Sequence, residues 1–349
     1  MSTGRWPVPD ISIIIVTWNG RQHLDDCLEA VAAQRGGDIE TILVDNASTD
    51  GTEAYVRQRF PWVRILSLAT NCGFAGGNNA GARIATGEYL AFLNNDTIAP
   101  PDWLRLLRQG LDEADHIAVA TSRIVYLHDP DVIDSAGDGL TRAGGAFKRL
   151  HGRPASQADE SREVFGACGA AFLLPKRVFE EIGGFDEDFF ASYEDVDLSY
   201  RARLRGYRCR YVADAVVLHR GGATLGRSSD RSVFFAQRNL EWMYFKNTPG
   251  AILLRTLPAH LVYTAAAAVY FTKLGMLPTF LRAKLSAVGG FAHVLRKRAV
   301  VQRTRSVSAK QIWRQLEPRW LRLKLSEEKF DLLIAKGGAT AERPKVSVR

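Results

Sequence analysis

The sequence predicts an α/β protein with a mainly parallel central sheet, followed by a basic helical C-terminal region. Three observations lead there. Short apolar runs alternate with helix-suited stretches over the first 130 residues, successive runs end in Asn or Asp, and the charge divides sharply along the chain. Of 349 residues, 46% are apolar and 24% charged, which supplies a sizeable core and excludes disordered and collagen-like chains. The net charge of +8 conceals an asymmetry: residues 251–349 hold 19 Lys and Arg against 5 Asp and Glu, whereas residues 1–250 hold 27 against 33. The turn-type cluster Asn247-Thr248-Pro249-Gly250 marks the boundary, so the expected domains are 1–247 and 248–349.

Strands are expected at Ile11–Thr17, Ile39–Val44, Val63–Leu68, Glu88–Leu93 and Ile117–Tyr126. Runs this continuously apolar are covered on both faces, which implies βαβ units and parallel pairing with right-handed crossovers. Ligands of such sheets bind beyond the carboxyl ends of the strands. The first four runs deliver Trp18-Asn19, Asp45-Asn46, Thr70-Asn71 and Asn94-Asn95-Asp96 to that edge. Any one of these is accounted for by turn or cap chemistry, as with Asp96 before a helix opening at Pro100-Pro101. Four together point to a polar ligand. Asn71 to Gly81 (NCGFAGGNNAG) is a glycine-rich entry to a helix, suited to phosphate contact or to close helix–sheet packing; its spacing matches neither the dinucleotide fingerprint nor the P-loop.

Further on, Glu194, Asp195 and Asp197 open a helix whose later turns carry Arg201, Arg203 and Arg205, an order that suits the helix dipole. An acid at that helix start, after the aromatic and acidic stretch Phe185 to Tyr193, is also placed to act as a general base. The strand from Tyr207 to Leu218 ends at His219-Arg220-Gly221-Gly222, where a histidine can serve structure or meet a metal or phosphate held by Asp96.

The terminal segments set the expected location. No apolar run precedes Ile11, and Ile11 to Val16 is too short for a signal core or a span. Cys27, Cys72, Cys168 and Cys209 lie far apart without a C-x-x-C pair, which fits a reducing cytosol. Thr256 to Thr272 is uncharged for 17 residues but contains Pro258 and His260, short of the roughly 20 residues a span needs. It is expected as a buried or interfacial helix pair. Beyond it, Leu277, Leu281, Leu285, Val288, Ala292 and Leu295 form one helical stripe, with Arg282, Lys284, Arg296 and Lys297 off it and a basic run to Arg305. Such a helix suits an anionic cytoplasmic membrane surface, or else packs with a solvated basic face. Nucleic acid is not an expected partner, because no recognition fold accompanies the charge.

With these residues in order, the chain resembles glycosyltransferase family 2, which has the GT-A nucleotide-sugar fold. The matching pieces are VTWNG (16–20), VDNASTDGT (44–52), NCGFAGGNNAG (71–81), EYLAFLNND (88–96), GGFDEDFFASYEDVDLSYR (183–201) and LHRGGAT (218–224). NCGFAGGNN and DVIDSAGDGLTRAGG (131–145) make it most similar to the bacterial rhamnosyltransferase-like members. The resemblance implies that Thr17, Asn19, Asp45 and Asn46 hold the base and ribose of a nucleoside-diphosphate sugar. It implies that Gly73, Asn78 and Asn95 lie along the nucleotide, with Arg83 at the base edge and Arg238 at the diphosphate. Asp96 matches the last acid of the family's D-x-D and would bridge Mg or Mn to the diphosphate. The first position is Asn94, one carboxylate fewer, and His219 matches the histidine that completes the metal shell. Asp195 matches the family base, supported by Glu194.

The implied reaction is inverting transfer of a sugar, such as rhamnose from dTDP-rhamnose, to a glycan or polyprenyl-linked acceptor at the inner membrane face. The cation and an arginine neutralise the departing diphosphate while a carboxylate takes the acceptor proton. Two other classes remain. A sugar nucleotidyltransferase would place a glycine-rich loop with a basic residue after the first strand, where this chain has VTWNG; a non-catalytic scaffold would be expected to lose the acids at 96 or 195, and both are present.

Overall fold

The structure is a computed structural model and describes residues 9–112, 114–221, 229–320 and 323. The Gly222 to Thr224 end of the LHRGGAT segment, the first eight residues and nearly all of the chain after 320 lie outside the described residues. The strands are β1 (Ile11–Thr17), β2 (Ile39–Asp45), β3 (Arg64–Ser67), β4 (Tyr89–Leu93), β5 (Thr97–Ile98), β6 (Ile117–Tyr126), β7 (Asp129–Ser135), β8 (Asp138–Leu140), β9 (Ala146–Lys148), β10 (Arg162–Val164), β11 (Ala171–Pro175) and β12 (Arg208–His219). The α-helices are α1 (Leu24–Ala32), α2 (Thr52–Arg59), α3 (Gly73–Ile84), α4 (Trp103–Gln109), α5 (Lys176–Glu181), α6 (Glu194–Leu204), α7 (Asp230–Asn247), α8 (Gly250–Lys273), α9 (Leu277–Gly289), α10 (Phe291–Arg303) and α11 (Ala309–Gln315).

The large sheet runs β10-β12-β6-β11-β4-β1-β2-β3. Strands β3, β2, β1 and β4 are parallel, β11 is antiparallel to both β4 and β6, and β6 and β12 are parallel to each other. The sheet is therefore mainly parallel. Its runs are as apolar as expected because helices cover both faces: Leu24, Cys27, Val31, Trp103 and Leu104 of α1 and α4 pack in one cluster, and Ala75, Ala82, Val178 and Leu198 of α3, α5 and α6 in the other. β1 lies between β2 and β4, so the winding reverses there and opens a crevice at the carboxyl ends.

Several expectations change in detail. The helix expected at Pro100-Pro101 starts at Trp103. The antiparallel strand β11 and the hairpin strands β7, β8 and β9 were not legible from periodicity, being short or polar at alternate positions. The segment expected as a helix pair is the single 24-residue helix α8 with Pro258 inside it. The expected single stripe is two helices, α9 and α10, broken at Gly289-Gly290, where a β-carbon on Gly290 would come within 2.6 Å of Trp242. A third cluster, with Tyr200, Leu204, Met243, Ile252, Ile312 and Leu316, joins this helical C-terminal region to α6.

Candidate active site

A cleft of about 760 Å³ opens at the carboxyl ends of β1, β4, β6 and β12. Its polar corner is assembled by strand pairing. β5 pairs antiparallel with the end of β12, Thr97 opposite His219, which brings His219 beside Asp96. His219 Nε2 lies 3.3 Å from Asp96 Oδ1, and His219 Nδ1 is 2.8 Å from Asp134 Oδ2. Asp134, at 1% side-chain exposure, also accepts from Lys148 Nζ at 2.8 Å. Burial by itself would lower the His219 pKa, but hydrogen bonds and charge from Asp134 and Asp96 outweigh it and push the value up to about 9. Burial likewise opposes ionisation of Asp134, yet Lys148 and His219 hold it well below the usual carboxylate range.

This corner fits a divalent cation. With Nδ1 donating to Asp134, Nε2 is the nitrogen that faces Asp96, and loss of its proton to an incoming cation would give the carboxylate–histidine–metal arrangement. Oxygen from Asp96 and nitrogen from His219 leave the remaining positions to substrate oxygens and water.

The second corner is the start of α6. Asp195 Oδ2 accepts from the Gly169 amide and Oδ1 from the Val196 amide, both at 2.8 Å. Ligand-type atoms of Asp138, Cys168 and Asp195 lie within 4.8 Å of one another. Burial raises the Asp195 pKa, and the backbone amides counter only part of that. Burial and then the Asp195 charge hold Glu194 and Asp138 well above the carboxylate range. Like charges close together disfavour one another, so the Asp195 charge adds to burial in favouring the protonated forms of its two neighbours. Glu194 is buried, with Oε2 unpartnered among the described residues. The loop before it is strained: Phe190, Ser192 and Tyr193 have φ between 61° and 69°. It is clamped from α7 by Asn239 Nδ2, which donates to the carbonyls of Phe189, Ala191 and Ser192 at 2.7–2.9 Å.

Of the expected site residues, Asn46, Gly73, Asn95, Asp96, Glu194, Asp195 and His219 line this one cleft. Asn95 is held by donating to Thr17 Oγ1 at 2.9 Å, which places Thr17 behind it. Asn19 Oδ1 accepts from the Thr49 amide and Asp45 Oδ1 from the Ser48 amide. Asn46 accepts from the Cys72 amide and donates to Asn71 Oδ1 and the Gly73 carbonyl, pinning the turn into α3. The Cys72, Gly73 and Ala75 amides are thus already committed to Asn46, Asn71 and the Phe190 carbonyl, so the expected phosphate cradle is not formed by them. The other glycines serve packing, since β-carbons on Gly77 and Gly81 would come within 2.7 Å and 2.6 Å of Val16 and Ile14.

Three expected residues sit away from the cleft. Asn78 donates back to the Phe74 carbonyl within α3. Arg83, at the far end of α3, pairs with Glu187 at 3.4 Å in the open, outside the cleft. Arg238 stacks on Trp242, 4.2 Å from the ring centre, and donates to the carbonyls of Asp188 and Phe189, so it buttresses the strained loop. Residues that the sequence reading left without a role take their place. Asp134, Asp138 and Lys148 come from the 129–148 hairpins, whose acids stand in DVIDSAGDG but whose partners are remote in sequence. Arg231 lines the cleft over Phe190 and Trp18 and forms no ion pair among the described residues, which makes it the cleft's available cation. Tyr263, Tyr270 and Phe271 of α8 form an aromatic wall that no motif announced.

A family model described as glycosyl transferase family 2 matches residues 12–183. N-acetylglucosaminyl-diphospho-decaprenol L-rhamnosyltransferase of Mycobacterium tuberculosis is 27% identical over 268 residues, 66% of this chain and 86% of that protein. Among solved structures, TarS of S. aureus in complex with UDP-GlcNAc superposes with a TM-score of 0.55 at 18% identity, covering 86% of this chain and 89% of that one. The mannosyltransferase PcManGT from Pyrobaculum calidifontis, in complex with GDP-Man and Mn2+, gives 0.50 at 19% identity over 90% and 92%. These likenesses show the fold, a GT-A arrangement followed by a helical C-terminal region.

Proposed function

The chain belongs to glycosyl transferase family 2, and on that premise we propose that it transfers a sugar, with rhamnose from dTDP-rhamnose the first donor to test, to a hydroxyl of a lipid-linked glycan precursor. The observation that carries the reading is the convergence on one cleft of a cation-suited pair, Asp96 and His219, with a half-buried carboxylate, Asp195, that has a raised pKa. A sugar nucleotide needs both, because its leaving group is a diphosphate and its incoming group is an alcohol. The relative's name, which carries a diphospho-decaprenol-linked sugar, supports a lipid-linked acceptor class, and an acceptor of that kind is anchored in a bilayer.

In the proposed reaction the acceptor oxygen attacks the anomeric carbon, the bond from that carbon to the diphosphate breaks, and the nucleoside diphosphate leaves with the electron pair. The acceptor proton passes to Asp195. A raised pKa improves Asp195 as a base near neutrality, and the Gly169 and Val196 amides fix where its oxygens point. Asp96 and His219 would hold Mg or Mn, which when bound supplies charge neutralisation at the diphosphate. Asp134 keeps His219 in the required tautomer, and Arg231 offers a further positive charge to the leaving group. No second nucleophile is required, so a single in-line displacement inverts the anomeric centre. The chemistry belongs to 1–247, while 248–349 contributes the α8 wall of the cleft.

The test is a screen of the purified chain against nucleotide sugars, reading nucleoside diphosphate release and protection against heat, followed by NMR of the product's anomeric proton. A retained anomeric configuration would remove the direct displacement. Absence of protection or turnover with every donor would remove the function.

A further inference from the structure

Helix α8 has an 18-residue window of mean hydropathy 1.4 and is long and apolar enough to cross a membrane by length and composition. Its inner stripe is nevertheless attached to the catalytic body along its length. Ile252, Thr256, His260 and Tyr263 are buried, and Ala267, Tyr270 and Phe271 continue the stripe into the cleft wall. The stripe also makes polar bonds: Thr256 Oγ1 to Tyr244 at 2.7 Å, and the His260 ring nitrogens to Glu241 and the Ala143 carbonyl, both at 2.8 Å. A helix held this way lies along the body and has only one face to offer to anything else.

That other face has the wrong composition for water. Ala251, Leu254, Pro258, Leu261, Val262, Ala265, Ala266 and Val269 are exposed, with Arg255 the charged residue among them. An outward helix face in a water-soluble domain is ordinarily polar. Helices α9 and α10 repeat the pattern. They bury Phe280, Ala283, Ala287 and Val294 and turn outward Leu281, Leu285, Val288, Leu295 and Val300, with Leu285 at 73% and Val288 at 72% exposure. The stripe legible in the sequence is thus the outer face. Of eleven large hydrophobic side chains exposed among the described residues, ten fall between 254 and 300, the other being Trp62.

The helices that carry this face bear charge of one sign, with Asp186 and Asp188 of the catalytic body paired to α10 at its edge. No Asp or Glu occurs between Glu241 and Glu317, a stretch with 12 Lys and Arg. Lys246, Lys284 and Lys297 are spent on Asp186, Asp197 and Glu241. Lys273, Arg282, Arg296 and Arg303 are exposed and form no ion pair among the described residues. A second copy docked here by two-fold symmetry would set these cations against their own kind. An anionic lipid surface complements both the apolar stripe and the basic rim.

We propose that the outward faces of α8, α9 and α10 form one docking surface for an anionic bilayer, which the chain grips from one side without crossing it. This deepens the membrane location proposed above by naming the surface and its orientation. The turn between α8 and α9 belongs to both regions: Leu274 and Met276 line the cleft, and Leu274 is also exposed. Docking by this face sets the cleft's apolar end at lipid level, and an acceptor anchored by a polyprenyl chain then presents its sugar without leaving the bilayer. That last step rests on the lipid-linked acceptor reading, whereas the docking surface does not.

The experiment is flotation of the full chain with vesicles of phosphatidylcholine, alone or mixed with phosphatidylglycerol. The chain is expected to float with the anionic vesicles and to be released by salt. The double variants Leu285→Glu/Val288→Glu and Leu261→Glu/Val262→Glu should each cut partitioning at least about tenfold, because both a buried apolar group is lost and a like charge is added. Trp62→Glu should change nothing. All five positions face outward, so retained melting temperature and donor binding show intact folding. Failure of the full chain to float at low salt, or equal flotation of the double variants, overturns the proposal. So does self-association abolished by these variants without vesicle binding, which would assign the face to a second copy. Vesicle binding without sugar transfer would sink the function and leave the docking surface standing.

Discussion

Raising the pH from 6.5 to 9 in the presence of chelator should destabilise the protein through His219. The ring is nearly buried, and burial would lower its pKa, but Asp134 at 2.8 Å and Asp96 at 3.3 Å overcome this and set the folded value at about 9. An unfolded histidine titrates near 6.5. Because the folded chain holds this proton more tightly, the stabilisation is complete below pH 6.5, shrinks as pH rises through the window, and is gone above about 9. A gap of about 2.5 units at roughly 1.36 kcal/mol each amounts to about 3 kcal/mol. Glu194 and Asp138, whose folded pKa values are raised, also lose stability as pH rises, so the measurement must be a difference. Urea unfolding of wild type and His219→Gln at matched pH isolates the His219 share. The wild type should be the more stable at pH 6, and the two curves should converge by roughly 3 kcal/mol toward pH 9. A gap that stays constant or widens would refute the ion-pair account of this corner.

Asp195→Asn should lower turnover by about a hundredfold or more with nearly unchanged donor affinity, since the carboxylate acts on the acceptor; unchanged turnover removes it as the base. Asp197 is not a ready substitute, being saturated by Arg201, Lys246 and Asn247. Asp96→Ala should weaken donor binding and abolish the response to added Mn, and full activity in excess chelator would end the cation assignment. Gly73→Ala should destabilise by more than about 1 kcal/mol and disturb the strained loop, because Gly73 has φ +72° and a β-carbon there overlaps the Phe190 carbonyl oxygen; an unchanged melting temperature would show that the turn relaxes freely.

The periodic signals transferred well to structure where the physics was local. Continuous apolar runs such as Ile11–Thr17 became buried parallel strands, and Glu194 opened its helix as its dipole-matched charges required. The same reasoning fell silent on β7, β8 and β9, because strands of three to seven residues with mixed polarity leave no period to read. The two glycine functions left open in the sequence were separated only by contacts. Gly77 and Gly81 are small because Val16 and Ile14 press on the helix, whereas Gly73 must adopt a left-handed turn.

For the site, the sequence by itself determined which side chains reach the carboxyl edge of the sheet, since strand length and the turn residues after each strand are local properties. Asp96 and His219 were legible in this way, whereas Asp195 was legible as an acid at a helix start. Tertiary structure decided what those groups are chemically. The pairing of β5 with β12 set His219 between Asp96 and Asp134, 85 residues away, and so fixed its tautomer and its proton affinity. Arg83 and Arg238 point elsewhere for the same reason, since each meets a carboxylate or carbonyl that sequence distance hides. The amphipathic stripe 277–295 shows the division most plainly. Its periodicity is written in the residues, but whether it faces the core or the exterior depended on α7, which takes up the opposite sides of α9 and α10 and leaves Leu285 and Val288 outside. A helix has two faces whose burial is settled by what packs against them, and that is a property of the assembled chain alone.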